Sequence, residues 1–156
     1  MNIETETPAT TRRLAPSEPA RFCSRCAAPP PAPDAERRPA FERVCAACGL
    51  GVYLTSPAGP PPSTSFIVVS QDLQVSAVSQ GAERIVGKEE KVCGSPVTSV
   101  LACPDGEAAL RRALRRAALG FREASTLPVR AGGGTATAHV LPCGPPRAAL
   151  VALIAV

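Results

Sequence analysis

The chain has 156 residues, of which 45% are hydrophobic and 19% are charged, a composition typical of a globular protein. Aromatic residues make up only 3%, with one Tyr and no Trp, which argues against aromatic cages and against stacking surfaces for single-stranded nucleic acid. The formal net charge of +4 is small for a protein dedicated to polyanions, and the single His excludes any site that needs two.

The N-terminal sequence has no basic region followed by an apolar stretch, so we expect no signal peptide. The longest apolar run covers residues 148–156, far short of the roughly 20 residues that a membrane helix needs. We therefore expect a cytoplasmic protein that does not contact a membrane. In that compartment paired cysteines more often bind metal than form disulfides, and an odd number such as seven cannot all pair within the chain.

In chain order, the composition predicts four segments. Residues 1–20 are rich in Thr, Pro and Glu without apolar periodicity, which predicts a disordered tail. Residues 21–55 contain four cysteines in two close pairs and form a predicted zinc module. The Pro-rich stretch 56–65 is a predicted stiff linker, because polyproline extends and resists packing. Residues 66–156 have the pattern of a compact second domain.

The four N-terminal cysteines form two C-x2-C pairs separated by 18 residues: Cys23, Cys26, Cys45 and Cys48. Each pair can place two sulfurs on one side of a metal ion, and two such pairs complete the tetrahedron that zinc prefers. Gly49 follows the last cysteine and suits a tightly bent backbone. The segment resembles a zinc ribbon or zinc knuckle and predicts one structural Zn²⁺, with no open position for hydrolysis.

Two other interpretations of these cysteines stay open. Four thiolates also fit an iron–sulfur cluster, and two close pairs also fit a redox disulfide switch. The spacer 27–44 is rich in proline, so we expect a loop or a short hairpin between the pairs. Cys93, Cys103 and Cys143 are unpaired in sequence and are predicted to be small buried apolar residues.

The second domain shows apolar patterns of both strand and helix type. Asp105 is a predicted N-cap for its longest helix, which carries an apolar stripe that includes Leu110 and Leu114. The patterns predict strands at 66–70 and 73–78, short helical or irregular segments at 82–87, 88–93 and 96–101, a helix at 106–119, and strands at 122–130, 134–141 and 147–156.

This order of elements resembles a PAS domain. The stretches that carry the resemblance are "SFIVVSQDLQVSAVSQGAERIVG", "KEEKVCGSPVTSVL" and the helix "PDGEAALRRALRRAALG", followed by three strands. The resemblance implies an α+β fold, a five-stranded antiparallel sheet with helices on one face. It also implies dimerisation, a protein partner, or a small ligand held between helices and sheet. Apolar residues expected to line such a pocket are Ile67, Val69, Val75, Ile85, Val100, Leu101 and Leu114.

The resemblance argues against coloured cofactors. Haem-binding members of the family commonly place a ligand His on the long helix, and helix 106–119 has none. Photoactive flavin-binding members carry a reactive Cys after the helical region, and the corresponding residues 94–97 lack it. We therefore expect neither haem nor photoactive flavin. His139 lies in a predicted strand, and we expect it to be a strand side chain with a satisfied hydrogen bond.

The long helix carries one basic face, formed by Arg111, Arg112, Arg115 and Arg116. It is either a solvated face or a docking surface for an acidic partner. Residues 65–156 have net charge 10 − 7 = +3, and residues 1–64 have 7 − 6 = +1, which four thiolates and one Zn²⁺ would bring to −1. A module with that charge binds phosphate poorly, which argues against nucleic acid as a partner.

No catalytic constellation is visible in the sequence. It contains no recognisable Ser/His/Asp set, no P-loop and no GxGxxG after a strand. We therefore expect a non-enzymatic signalling or regulatory protein. A transcription regulator that contacts nucleic acid through the zinc module, and a cysteine-based redox or iron–sulfur sensor, are the alternatives.

Overall fold

The structure is a computed structural model that describes residues 19–31, 43–60 and 65–156. Its strands are β1 (Ala20–Cys23), β2 (Tyr53–Ser56), β3 (Ser65–Ser70), β4 (Val75–Val78), β5 (Ser125–Ala131), β6 (Gly134–Cys143) and β7 (Ala148–Ala155). Its helices are α1 (Glu83–Val86), α2 (Glu89–Val92), a 3₁₀ turn (Val97–Ser99) and α3 (Glu107–Ala118). Strands β1 and β2 form an antiparallel hairpin, and the other five form one sheet.

The large sheet is antiparallel throughout, with strand order β4-β3-β7-β6-β5. The first and last strands of the domain in sequence, β3 and β7, are therefore neighbours in the middle of the sheet. The predicted α+β class and the five-stranded antiparallel sheet are confirmed. Among the described residues, no helix is long and apolar enough to cross a membrane.

Several element boundaries differ from the sequence prediction, among them the start of β5, which lies at Ser125 and not at residue 122. Helix α3 begins at Glu107, and Gly106 rather than Asp105 is its N-cap, with no side chain capping the helix. Gly106 has φ +105°, so the backbone turns into the helix one residue later than predicted. Strand β4 begins at Val75 because Leu73, with φ +61°, still belongs to the turn after β3.

One face of the large sheet carries the helices. Alternate residues of β3, such as Ile67 and Val69, are completely buried against that layer, as are Leu110 and Leu114 of α3. We call this cluster the helix-side core. It contains most of the large aliphatic side chains of the domain, and its burial is the main source of the domain's stability.

The opposite face of the sheet carries the β1–β2 hairpin. Phe22 packs edge-to-face on Phe66, with ring centroids 5.6 Å apart and an interplanar angle of 90°. The backbone of Thr55 pairs with that of Gly144, with N···O distances of 2.6 and 3.0 Å. We call this second cluster the hairpin-side core; its buried members are Phe22, Ala27, Leu54, Phe66, Val68, Ala77, Cys143, Ala148 and Leu150.

The hairpin-side core joins the two segments that the sequence analysis separated by a linker. Of the predicted linker 56–65, Ser56 belongs to β2 and Ser65 to β3, while residues 61–64 lie outside the described part. Of the predicted tail, residues 1–18 lie outside it as well, and β1 starts at Ala20. The four-cysteine segment therefore packs on the sheet instead of standing apart from it.

Candidate metal centre

The four predicted metal ligands lie on two matching turns of the hairpin. The first turn follows β1, and the N–H of Ala27 donates to the carbonyl oxygen of Cys23 at 3.1 Å. The second precedes β2, and the N–H of Gly49 donates to the carbonyl oxygen of Cys45 at 2.9 Å. Each turn thus closes over five residues and brings both of its cysteines to the same side. The part of the spacer at 32–42 lies outside the described residues.

The hairpin brings the four sulfurs of Cys23, Cys26, Cys45 and Cys48 together, all within 4.8 Å of one another. The Sγ atoms of Cys23 and Cys48 are 3.7 Å apart, as are those of Cys26 and Cys45. A tetrahedron with metal–sulfur bonds of about 2.3 Å has sulfur–sulfur edges of about 3.8 Å. The four cysteines are therefore placed to bind one metal ion, and their donor set and spacing are compatible with zinc.

The surroundings shift the thiol pKa values of Cys23 and Cys45, one in each turn, in opposite directions. At Cys23 burial outweighs the N–H groups of Cys26 and Arg25 and raises the thiol pKa to about 12. At Cys45 burial also opposes ionisation, but the N–H groups of Cys48 and Ala47 outweigh it and lower the pKa to about 6. The second turn therefore stabilises the thiolate form that metals bind. Cys23, by contrast, loses its proton when a metal ion binds to the sulfur.

Gly51 allows the sulfurs to converge. A Cβ atom at this position would overlap the Sγ of Cys23, and it would also lie 3.0 Å from the backbone of Arg25. Gly49, by contrast, has φ +70° but open space around the position of a Cβ. The sequence analysis singled out Gly49 for its turn and missed Gly51, because only the folded hairpin shows which backbone faces the sulfur.

Arg25, inside the first C-x2-C, connects the metal centre to the helices. Its guanidinium lies 2.6 Å from the Oε2 of Glu89 and 3.4 Å from the Oε1 of Glu83. The other oxygen of Glu89 accepts the N–H of Val78, and the carbonyl oxygen of Arg25 accepts the N–H of Gln80. Sequence reasoning missed this contact because its partners lie 58 and 64 residues away.

The apolar residues predicted to line a ligand pocket belong mainly to a packed core. Ile85 and Val100 are only half-buried, and each lines a surface cavity, of about 500 and 170 Å³ respectively. The other five are at most 1% exposed and pack together in the helix-side core: Ile67, Val69, Val75, Leu101 and Leu114.

The predicted basic face lies on the outside of α3. Arg111 is half-buried and Arg112, Arg115 and Arg116 are exposed. Two of the four have partners on the same surface. The Nε of Arg111 donates to Glu107 at 2.6 Å, and the guanidinium of Arg116 lies 4.7 Å from the centre of the Phe121 ring.

The remaining single residues take structural positions. Cys93 and Cys103 are half-buried and Cys143 is buried, and none of the seven cysteines forms a disulfide. His139 lies in β6 with its Nδ1 3.3 Å from the Oγ1 of Thr126, so the expected hydrogen bond of a strand side chain is present.

Comparison with protein-family models and with curated proteins gives no match for this sequence.

Proposed function

We propose that this chain is a non-enzymatic regulatory protein, in which a structural zinc site fixes a hairpin on the sheet of a PAS-like interaction domain. The observation that carries the proposal is the position of the four sulfurs, converged on a hairpin whose apolar side chains pack on the large sheet. A metal there stabilises a surface of the domain and leaves no coordination position for a substrate. The proposed compartment is the cytoplasm, which suits seven free cysteines.

Zinc is the proposed metal because four thiolates suit its tetrahedral coordination and the sulfur spacing fits a single ion. The two 3.7 Å sulfur pairs match the edges of a tetrahedron around a single ion. An iron–sulfur cluster places several iron and sulfide atoms between its thiolates, so it needs a wider set of sulfurs than one within 4.8 Å. The donor set and its size therefore favour a mononuclear structural site.

The PAS-like half is proposed to act through protein contacts, as a homodimer or with a protein partner. The five-stranded antiparallel sheet with helices over one face has the architecture that the resemblance implies. Five of the seven residues expected to line a pocket between helices and sheet pack against one another, which supports docking over ligand sensing inside that core.

Metal analysis of the purified full chain tests the zinc part. We expect about one equivalent of zinc and a colourless protein. Cys45→Ser should lose the metal, while the matched control Cys103→Ser, a half-buried cysteine outside the site, should keep it. A brown protein with iron and sulfide, or equal zinc in both variants, would contradict the assignment.

Sedimentation velocity of the zinc-loaded chain tests the interaction part. Over the micromolar range we expect a concentration-dependent shift from monomer to dimer. A chain that stays monomeric at every concentration would contradict the homodimer. The proposal would then be that the domain binds a different protein. Binding that needs nucleic acid and weakens steeply with salt would favour the transcription-regulator alternative instead.

A further inference from the structure

The exposed face of α3 combines arginines with two large apolar side chains. Arg112, Arg115 and Arg116 are spaced by one turn or less, so they lie on one face of the helix. Leu119 follows Arg116 by three residues and extends that face past the end of the helix. Leu119 is 58% exposed, and Phe121, in the next turn, is 50% exposed. We call these five residues the α3-end surface.

The turn after α3 holds Phe121 on this surface. Gly120 has φ +95°, its N–H donates to the carbonyl oxygen of Ala117 at 2.8 Å, and the N–H of Phe121 donates to that of Arg116 at 3.1 Å. This pair of hydrogen bonds ends many helices, and the residue after the glycine then usually packs on an apolar side chain of the last turn. Here it meets the guanidinium of Arg116, 4.7 Å from the ring centre. The ring is therefore fixed in place but stays half exposed.

The charge of the surface is suited to carboxylates. Residues 107–123 contain five arginines and two glutamates, a net charge of 5 − 2 = +3. The carboxylate of Glu123 lies 3.6 Å from the guanidinium of Arg116, and its side chain is 90% exposed, so it is held weakly. Arg112 and Arg115 form no ion pair with any described residue. The surface therefore has room for more carboxylates than its own neighbourhood supplies.

Three other occupants fit this surface less well. A symmetric dimer through it would place arginines against arginines. A membrane-surface helix needs an apolar face, and that face of α3, with Leu110 and Leu114, is buried in the helix-side core. Nucleic acid would use arginines and stack bases on Phe121, but Arg116 covers one face of that ring, and Leu119 gains nothing from phosphates.

We propose that the α3-end surface docks an acidic segment of a protein partner. Carboxylates of the segment pair with Arg112, Arg115 and Arg116, and a bulky apolar side chain packs on Leu119 and Phe121. The carboxylate on Arg116 replaces that of the chain's own glutamate. This inference rests on the proposed function, because it takes the protein partner from there and adds the surface and the chemistry of the segment.

The test uses the full zinc-loaded chain and a labelled synthetic peptide, EELEELLEE, with binding followed by fluorescence anisotropy. Two counterparts carry the same label: QQLQQLLQQ lacks the charge and EEAEEAAEE lacks the apolar side chains. We expect the first peptide to bind with a dissociation constant of about 100 µM, weakened by salt, and each counterpart to bind at least about tenfold more weakly.

Matched variants locate the site. Arg112→Gln with Arg115→Gln should weaken peptide binding about tenfold or more, whereas Lys91→Gln, at an exposed cation of α2, should leave it unchanged. Phe121→Gln should weaken binding as well. Its control is Ile154→Gln, because Ile154 is also 50% exposed but follows the alternation of β7 onto the sheet face opposite α3.

Glu123→Gln provides a test by gain of affinity. It removes the carboxylate that competes for Arg116, so it should strengthen peptide binding about two- to fivefold, which a damaged fold would not do. Unchanged affinity in both the arginine and the Phe121 variants would overturn the inference. So would tighter binding of single-stranded DNA or of phosphatidylserine vesicles, or no peptide binding at about 1 mM.

This inference and the proposed function can fail separately. A chain that holds one zinc and dimerises but does not bind the peptide would overturn the inference and leave the proposed function standing. A chain that binds the peptide through the α3-end surface but holds no zinc would contradict the proposed function and support the inference.

Discussion

Gly51 shows how one missing methyl group makes room for a metal centre. Its backbone passes so close to the Sγ of Cys23 that any side chain would push the sulfur out of the cluster. Gly51→Ala should therefore weaken zinc binding about tenfold or more, as changes around metal ligands commonly do. Competition with a coloured zinc chelator measures the change directly.

Gly49→Ala is the matched control for this prediction. Gly49 has φ +70°, so a side chain there costs about 1–2 kcal/mol of backbone strain but meets no atom of the site. We expect its zinc content to stay at the level of the unchanged protein. If both variants lose zinc equally, general destabilisation of the hairpin and not the contact with Cys23 is responsible.

A second glycine fixes a helix to the sheet edge. Gly132 and Gly133 form the turn between β5 and β6, with φ +57° and +82°. A Cβ at Gly132 would overlap the carbonyl oxygen of Ile85 at the end of α1, whereas one at Gly133 would meet no atom.

Alanine substitutions separate the contact from the backbone strain. Gly133→Ala should lower the free energy of unfolding by about 1–2 kcal/mol, the cost of a left-handed residue with a side chain. Gly132→Ala should cost about 1–3 kcal/mol more, because the backbone of α1 must also move. Urea unfolding curves give both values; equal losses would mean that the turn does not hold α1.

At the scale of elements, α3 combines a buried face with a basic face. Its buried face includes Leu110 and Leu114, and its arginines point outward with few partners. Replacement of Arg111, Arg112, Arg115 and Arg116 by Gln should change the free energy of unfolding by no more than about 1 kcal/mol, since surface ion pairs contribute little and repulsion is relieved. Thermal unfolding checks this, and a much larger loss would show that the face is paired or buried.

Local patterns account for what the sequence could predict about the elements. The β-branched run at Phe66–Ser70 and the helical stripe of α3 are each decided by residues next to one another in the chain. The two C-x2-C turns are equally local, so the metal ligands could be named. Residues far apart in sequence determine the strand order, the packing of the hairpin on the sheet and the contacts of Arg25. No local pattern in the sequence indicates these three features.

At the scale of the whole molecule, Arg25 couples the metal centre to the helix layer. Its side chain is 17% exposed and reaches the carboxylates of both α1 and α2. Arg25→Gln and Glu89→Gln should each destabilise the protein, and the double variant should lose less than the sum of the two. We expect a coupling energy of about 1 kcal/mol, typical of contacting residues.

Chemical unfolding of the four proteins of this double-mutant cycle measures that coupling. Arg112→Gln combined with Glu89→Gln is the control pair, because Arg112 lies on the exposed face of α3 and forms no ion pair with any residue that the structure describes. This pair should be additive. If Arg25→Gln and Glu89→Gln are additive as well, the ion pairs contribute no coupling energy between the metal centre and the helix layer.

The edge-to-face contact of Phe22 with Phe66 has a consequence for solubility. Phe66, Val68 and Leu150 are each at most 3% exposed, and they pack in the same cluster as Phe22 and Leu54 of the hairpin. A fragment of residues 65–156 would expose these side chains to water as one hydrophobic patch, and such patches drive self-association. Light scattering should show the fragment forming large particles where the full zinc-loaded chain does not, and Phe66→Gln with Val68→Thr in the fragment should restore small particles. Loss of the metal, which loosens the hairpin, should therefore also cause the full chain to aggregate.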